Sequence, residues 1–200
     1  MRQIIRPSLV LTALWAWLLL VSCRGSGEAP SPYRQFTFTV DSARLGEEVS
    51  FAGITLRAPR GWDRADSTAM VRIREAAAQD TGRFAVVPEA AFVNPVSNAL
   101  LFVVTFAGGA TSTDGFTGWA RRFVDVFGAD KPQNSIREEW LLLGGCPAVQ
   151  LLVQDSMRVQ FKFLVDGKVP LGLDFSVPRG AWEEEVRAVE SSLGTIKRQE

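Results

Sequence analysis

Between Ser135 and Val177 four runs, "SIREEWLLL", "CPAVQLLVQ", "MRVQFKFLVD" and "KVPLGLDFSV", are punctuated by Gly144-Gly145, Asp155-Ser156 and Asp166-Gly167. Gly tolerates positive φ, and Asp bonds the backbone just ahead of it, so these dipeptides are tight-turn chemistry. Runs joined this way pair antiparallel with their neighbours, which makes the segment a four-strand meander. In the third run Val159, Phe161, Phe163 and Val165 alternate with Arg158, Gln160 and Lys162. In the fourth, Val169, Leu171, Leu173, Phe175 and Val177 alternate with Pro170, Gly172, Asp174 and Ser176. Side chains of a strand alternate between its two faces. The meander therefore has one apolar face, which something must cover, and one mixed face.

Two amphipathic helices are available as covers. In "GFTGWARRFVDVFG" the residues Phe116, Trp119, Ala120, Phe123, Val124 and Phe127 share one face, with Arg121, Arg122 and Asp125 opposite and Gly128 placed as a stop. In "PRGAWEEEVRAVESSLGTIK" the stripe is Trp182, Val186, Val189 and Leu193, and Glu183 to Glu185 suit the positive end of the helix. Upstream, "FTFTV" (Phe36–Val40) reads as a strand by alternation. "EVSFAGITLRAP" reads as one strand kinked at Gly53, and "NALLFVVTFA" as a buried strand. Residues 62–98 are the least periodic. There "STAMVRIREAAAQ" fits a helix capped by Ser67 with Met70, Ile73 and Ala77 on one face, and also a short strand with Val71 and Ile73 inward; the helix is favoured. Thirteen Phe and six Trp supply a core for one α+β domain over residues 35–200.

A strand running into "APRGW", an aromatic helix, a four-strand meander and a closing "VESSLGTIK" together resemble the PsbP/Mog1-like fold, over about residues 35–197. That resemblance implies an antiparallel sheet between helices, an α/β/α sandwich, and a role in binding partners rather than in chemistry. Members include extrinsic photosystem II subunits, nuclear-transport regulators and bacterial envelope lipoproteins. Metal-binding histidines of some plant members have no counterpart, because this chain contains no histidine.

The first 34 residues have a different character. "MRQIIR" carries two arginines and no acid, and Pro7–Ser22 is a run of 16 uncharged residues. A spanning helix needs about 20 apolar residues, so the run is short for one and suits the hydrophobic region of a signal peptide. It ends in Leu20-Val21-Ser22-Cys23, which resembles the bacterial lipobox. The resemblance implies removal of residues 1–22, acylation of Cys23, and a membrane anchor through the N-terminal acyl chains. The other reading is an uncleaved signal anchor with Cys23 at the membrane edge. Either exports the domain to the cell envelope, since the arginines hold the N-terminus inside. In two-membrane organisms the lipobox pattern uses Asp after the cysteine for inner-membrane retention; Arg24 there favours the outer membrane. Residues 23–34, with "RGSGEAPSPYR", read as a flexible tether with a root-mean-square reach of about 18 Å.

Charge and composition then remove whole classes of function. Basic and acidic residues balance at 22 each, and without residues 1–22 they stand at 20 and 22, so there is no footprint for nucleic acid. The absence of histidine excludes Ser-His-Asp and Cys-His chemistry and His-built zinc sites. Cys146 in "LLLGGCPAVQ" reads as a small core residue. "FAGGATSTDGFTG" has no lysine and sets Asp114 where an anion would bind, so it reads as a long loop with Asp114 or Thr113 capping a helix. Glu47-Glu48, Asp63/Asp66 and Glu138-Glu139 lack the spacing of a calcium loop or a catalytic pair. No catalytic residue, metal site or cofactor is therefore assigned.

Trp119 and Trp182 lie on helix stripes, whereas Trp62 follows a turn between Arg60 and Arg64 and is the first candidate contact residue. The mixed sheet face, with Arg158 and Lys162 beside Gln150, Gln160 and Asp174, is the second. The expected function is a membrane-anchored, non-enzymatic envelope lipoprotein that binds a protein partner or supports an envelope assembly. The alternative is a small-molecule or lipid-binding lipoprotein with a pocket between sheet and helices, and a carboxylate-based hydrolase ranks third.

Overall fold

The computed structural model describes residues 31–79, 82, 84–107, 115–129, 131 and 136–199. The signal segment, Cys23, most of the tether and the proposed caps Thr113 and Asp114 lie outside the described residues. From Tyr33 onward the chain forms one compact unit. Its strands are β1 (Arg34–Gln35), β2 (Leu45–Phe51), β3 (Ile54–Pro59), β4 (Asp63–Arg64), β5 (Val86–Val93), β6 (Leu100–Phe106), β7 (Ile136–Leu143), β8 (Cys146–Gln154), β9 (Arg158–Val165), β10 (Leu171–Pro178) and β11 (Lys197–Arg198). The helices described are α1 (Ser67–Ala78), α2 (Gly115–Ala129) and α3 (Trp182–Leu193). The fold is mixed α+β around an eight-stranded sheet of order β1-β7-β8-β9-β10-β6-β5-β4, with a three-stranded sheet β11-β3-β2 beside it.

The four-strand meander forms as the turn chemistry requires, with β7 to β10 antiparallel in sequence order. Gly144 and Gly145 both take positive φ, 53° and 82°, the geometry of a two-residue hairpin that follows the sheet twist. At the next turn the Asp155 carboxylate accepts the backbone N–H groups of Arg158 and Met157, both at 2.7 Å. These bonds, that of Arg158 first, hold its carboxyl below the usual range. The third connection is longer than its dipeptide implies. Pairing of β10 starts only at Leu171, Val169 is exposed, and Lys168 instead donates its N–H to Ala52 at 2.7 Å.

Four other expectations need correction. "EVSFAGITLRAP" is not a kinked strand but the hairpin β2–β3, turning at Ala52 (φ 50°) and Gly53 (φ 77°). Phe36–Val40 forms no strand: the ladder with β7 stops after Arg34 and Gln35, and only Phe36 N–H adds a bond, to Leu142. Its alternation is real, because Phe36 and Phe38 pack on the core; one-sided burial of an extended segment gives the same period as a paired strand. Helix α1 is capped by Asp66, which accepts the N–H of Ala69 at 2.8 Å, so Ser67 is its first residue rather than its cap. Helix α2 runs through Gly128 to Ala129. Strand β5 falls in the stretch that showed no period, because a bulge between Pro88 and Ala90 breaks the alternation.

Two hydrophobic clusters hold the faces of the large sheet. Phe163, Leu173, Phe175, Leu101 and Val103 pack with Ile54 and Leu56 of β3 and with Val189 and Leu193 of α3. Phe106, Val149, Leu151 and Leu164 pack with Phe116, Trp119, Ala120 and Phe123 of α2. Phe163 and Phe175 are fully buried, and truncating either to Ala would cost about 3–5 kcal/mol. Polar stitches fix α3 and the turn after it to the smaller sheet: Ser192 Oγ donates to the Arg57 carbonyl at 2.6 Å, and Thr195 Oγ1 accepts the Arg57 N–H at 2.8 Å.

Candidate functional site

The five candidate contact residues occupy three separate places. Trp62 is buried, only 6% exposed, with its ring edge-on to Phe175 at 6.3 Å. Its Nε1–H donates to Glu185 Oε2 at 3.2 Å, and Glu185 Oε1 accepts from Asn94 Nδ2 at 2.7 Å. Trp62 is thus a core residue and not a surface contact. Glu185, read as a helix-end charge, is 8% exposed and turned inward. The signal was present: Glu185 is spaced three and four residues from Trp182 and Val189, on the stripe itself. Arg60 and Arg64 stay at the surface. Arg60 Nε donates to the Leu45 carbonyl at 3.3 Å, and Arg64 lies 4.0 Å from Glu47 and 5.9 Å from the Phe92 ring centroid.

Arg158 is a structural clamp. Its Nε donates to Ser176 Oγ at 2.6 Å, and its Nη2 donates to the carbonyls of Ser176 at 2.7 Å and Asn98 at 3.0 Å. These bonds tie the start of β9 to the end of β10 and to the β5–β6 turn. Lys162 lies mid-strand, ion-paired with Asp174, its direct partner in the β9–β10 register.

That pair lines a cavity of about 360 Å³ between the sheet and α2. Its walls are Phe84, Phe102, Phe106, Phe123 and Phe127 together with Val86, Val104 and Val126. Phe84 and Phe106 approach Phe123 at 5.0 and 5.3 Å between ring centroids, and Phe127 stacks on it at 5.9 Å. The ammonium groups of Lys131 and Lys162 sit 4.6 and 5.7 Å from the Phe127 centroid. The mixed face of the meander is accordingly helix-covered here, with Val149, Leu151 and Leu164 completing an apolar surround. Ligand sites run to about 300–1,000 Å³, apolar with a few placed polar groups, and the cavity is of that kind.

A second cavity, about 310 Å³, opens on the other face beneath the Phe36–Phe38 segment. Phe161 and Trp182 stack on its wall at 5.2 Å. At its mouth Glu139 accepts from Arg34 at 3.0 Å and pairs with Arg137 at 2.8 Å. Both arginines are exposed, so these ion pairs add little stability. Tyr33 and Arg34, read as the end of the tether, are already part of the domain: Tyr33 Oη and Thr117 Oγ1 lie 2.7 Å apart, and the Tyr33 ring meets Trp140 at 5.6 Å.

Cys146 is fully buried, and that burial raises its thiol pKa, so it is held as the neutral thiol. Glu138 accepts from Trp140 Nε1, while Glu139 faces the arginines, so the adjacent acids serve opposite faces. Among the described residues no group of three or more His, Cys, Asp or Glu is placed to hold a metal, and no helix is long and apolar enough to cross a membrane.

No family model matches the chain, and no curated protein matches it in sequence. Among solved structures it is similar to the solution structure of cyanobacterial PsbP (CyanoP) from Synechocystis sp. PCC 6803. The identity is 13%, the TM-score 0.46, and the match covers 78% of this chain and 93% of that one.

Proposed function

We propose that this chain is an exported, lipid-anchored, non-enzymatic binding protein whose domain takes a small molecule in the aromatic cavity beneath α2. The observation that carries the reading is the cavity itself: five Phe walls around one cross-strand ion pair. We read the whole as an α/β/α sandwich of the PsbP/Mog1 kind, with α2 over one sheet face and α3 with the small sheet over the other. The anchor is Cys23, acylated after loss of residues 1–22, which holds the domain at the cell envelope.

Two measurements test this. Mass spectrometry of the mature chain should find acylated Cys23 at the N-terminus; an intact Met1 overturns the anchor. A naphthalene-type fluorescent probe should bind the protein saturably and lose binding when Val86→Trp fills the cavity rim. Unchanged binding in that variant would place the probe elsewhere and sink the cavity reading.

Docking of a protein partner is the second reading, favoured by two exposed apolar side chains at one end of the sheet. Val96 (89% exposed) and Met157 (76% exposed) sit in turns that Arg158 and Arg179 connect, through the Asn98 and Met157 carbonyls. A photo-crosslinker at position 157 should capture one reproducible envelope protein if that reading is right.

A further inference from the structure

The surroundings of Lys162 and Asp174 set this ion pair apart from a stabilising one. Across the sheet their row continues as Leu151 on one side and Phe102 on the other. Their side chains are only 18% and 32% exposed, and the cavity walls about them are phenylalanine and valine. Two charges drawn partly out of water in this way lose solvation that offsets much of their attraction, and an apolar pair of similar volume is often at least as stable. Nor is the pair needed for register, since β9 and β10 are matched at seven other positions. Its chemistry, rather than its stability, is what distinguishes the position.

An ammonium has three N–H donors and a carboxylate two acceptor oxygens. Their mutual bond takes one of each. The pair therefore offers the cavity it lines a donor and an acceptor side by side. An anionic head would accept from Lys162 but meet the like charge of Asp174, and a cationic head would reverse the problem; such repulsion is strong where water is excluded. A plain hydrocarbon would cover both groups and bond neither, a desolvation without return. A neutral head with a carbonyl beside an N–H satisfies both at once, each bond charge-assisted.

We infer that the cavity takes an uncharged aromatic or apolar molecule ending in a carboxamide or lactam, its carbonyl accepting from Lys162 and its N–H donating to Asp174. This rests on the reading of the cavity as a ligand site. Phe84, Phe106 and Phe127, each packed on Phe123 at 5.0–5.9 Å, form one aromatic wall against which the flat body lies edge-on or stacked. Lys131 adds positive charge beside Phe127, so a carboxylate is the sharpest competitor.

Four probes of nearly one shape decide it: 2-naphthamide, 2-naphthoate, 2-naphthylmethylammonium and 2-isopropylnaphthalene. They are titrated into residues 23–200 carrying Cys23→Ser, so that no acyl chain competes, and followed by the methyl resonances of Val86 and Val104. The amide should bind roughly tenfold tighter than each of the others and move both sets of methyls. In the double variant Lys162→Met/Asp174→Leu the melting temperature should hold or rise, while amide and hydrocarbon should bind within about twofold of each other. Tighter binding of the naphthoate or the ammonium overturns the ligand class and leaves the cavity as a site. No binding by any probe, or binding that leaves both methyl sets unmoved, overturns the site as well.

Discussion

Glu185 shows how a single residue escapes a sequence reading. Its position among three consecutive acids suggested a solvated helix end, yet it accepts from Trp62 and Asn94, the former 123 positions away. Its spacing from Trp182 and Val189 puts it on the buried stripe, but neither donor is close in sequence, so only the tertiary fold reveals its partners. A carboxylate serves two donors, whereas an amide serves one and turns a donor toward the other. Glu185→Gln should therefore cost about 1–2 kcal/mol, and Glu185→Ala about 2–4 kcal/mol with both donors left unpaired, measured by urea denaturation. Cys146, by contrast, was legible as a core residue from its apolar neighbours. Its thiol should resist thiol reagents in the native protein and react only on unfolding. Burial raises its pKa above the ordinary 9.0, so the unfolded chain ionises first. Burial likewise raises Tyr33 above 10.0. Both contributions are complete below those ordinary values and are lost as pH rises through the raised ones. Denaturation midpoints should thus fall from about pH 9 upward, and less so in Cys146→Ala.

At the scale of elements, legibility followed turn chemistry and strict periodicity. The meander was visible because Gly and Asp mark its turns, and α2 and α3 because their stripes are long. Strand β5 was not, since its bulge mixes the two faces within eight residues. The Phe36–Val40 segment alternates without pairing, because alternation reports burial of one side and is silent about a ladder. The two glycines of the β7–β8 turn look equivalent in sequence and differ in the fold. A Cβ on Gly145 meets nothing within 4 Å, while one on Gly144 would fall 1.9 Å from the Ile196 carbonyl oxygen. Gly145→Ala should cost roughly 1–2 kcal/mol, the strain of positive φ alone. Gly144→Ala should cost on the order of 3 kcal/mol or more, because the chain leading into β11 must move. Equal losses in thermal or urea unfolding would contradict the close approach.

For the whole molecule, the candidate site was half legible. Alternation puts Lys162 and Asp174 on the mixed face, but the cavity they line arises from Phe residues on β6, on α2 and at position 84, which no local pattern brings together. The domain boundary shows the same limit. Composition placed it at residue 35, because Tyr33 and Arg34 continue the polar stretch, whereas Tyr33 meets Thr117 and Trp140 and Arg34 pairs with Glu139. The residues that follow also close the core: Phe36 and Phe38 meet at 4.8 Å, and Phe38 meets Phe163 at 6.2 Å. Truncation separates these contributions. A chain starting at residue 33 should match residues 23–200 with Cys23→Ser in urea midpoint, since the compact unit begins there. A chain starting at residue 41 loses Tyr33, β1 and two half-buried phenylalanines, and should be less stable by about 2–4 kcal/mol. Both clusters lie on one sheet, so the transitions followed through Trp62 and through Trp119 should still coincide in either chain. A midpoint unchanged on removing residues 33–40 would show that this segment is a covering of the fold and not part of it.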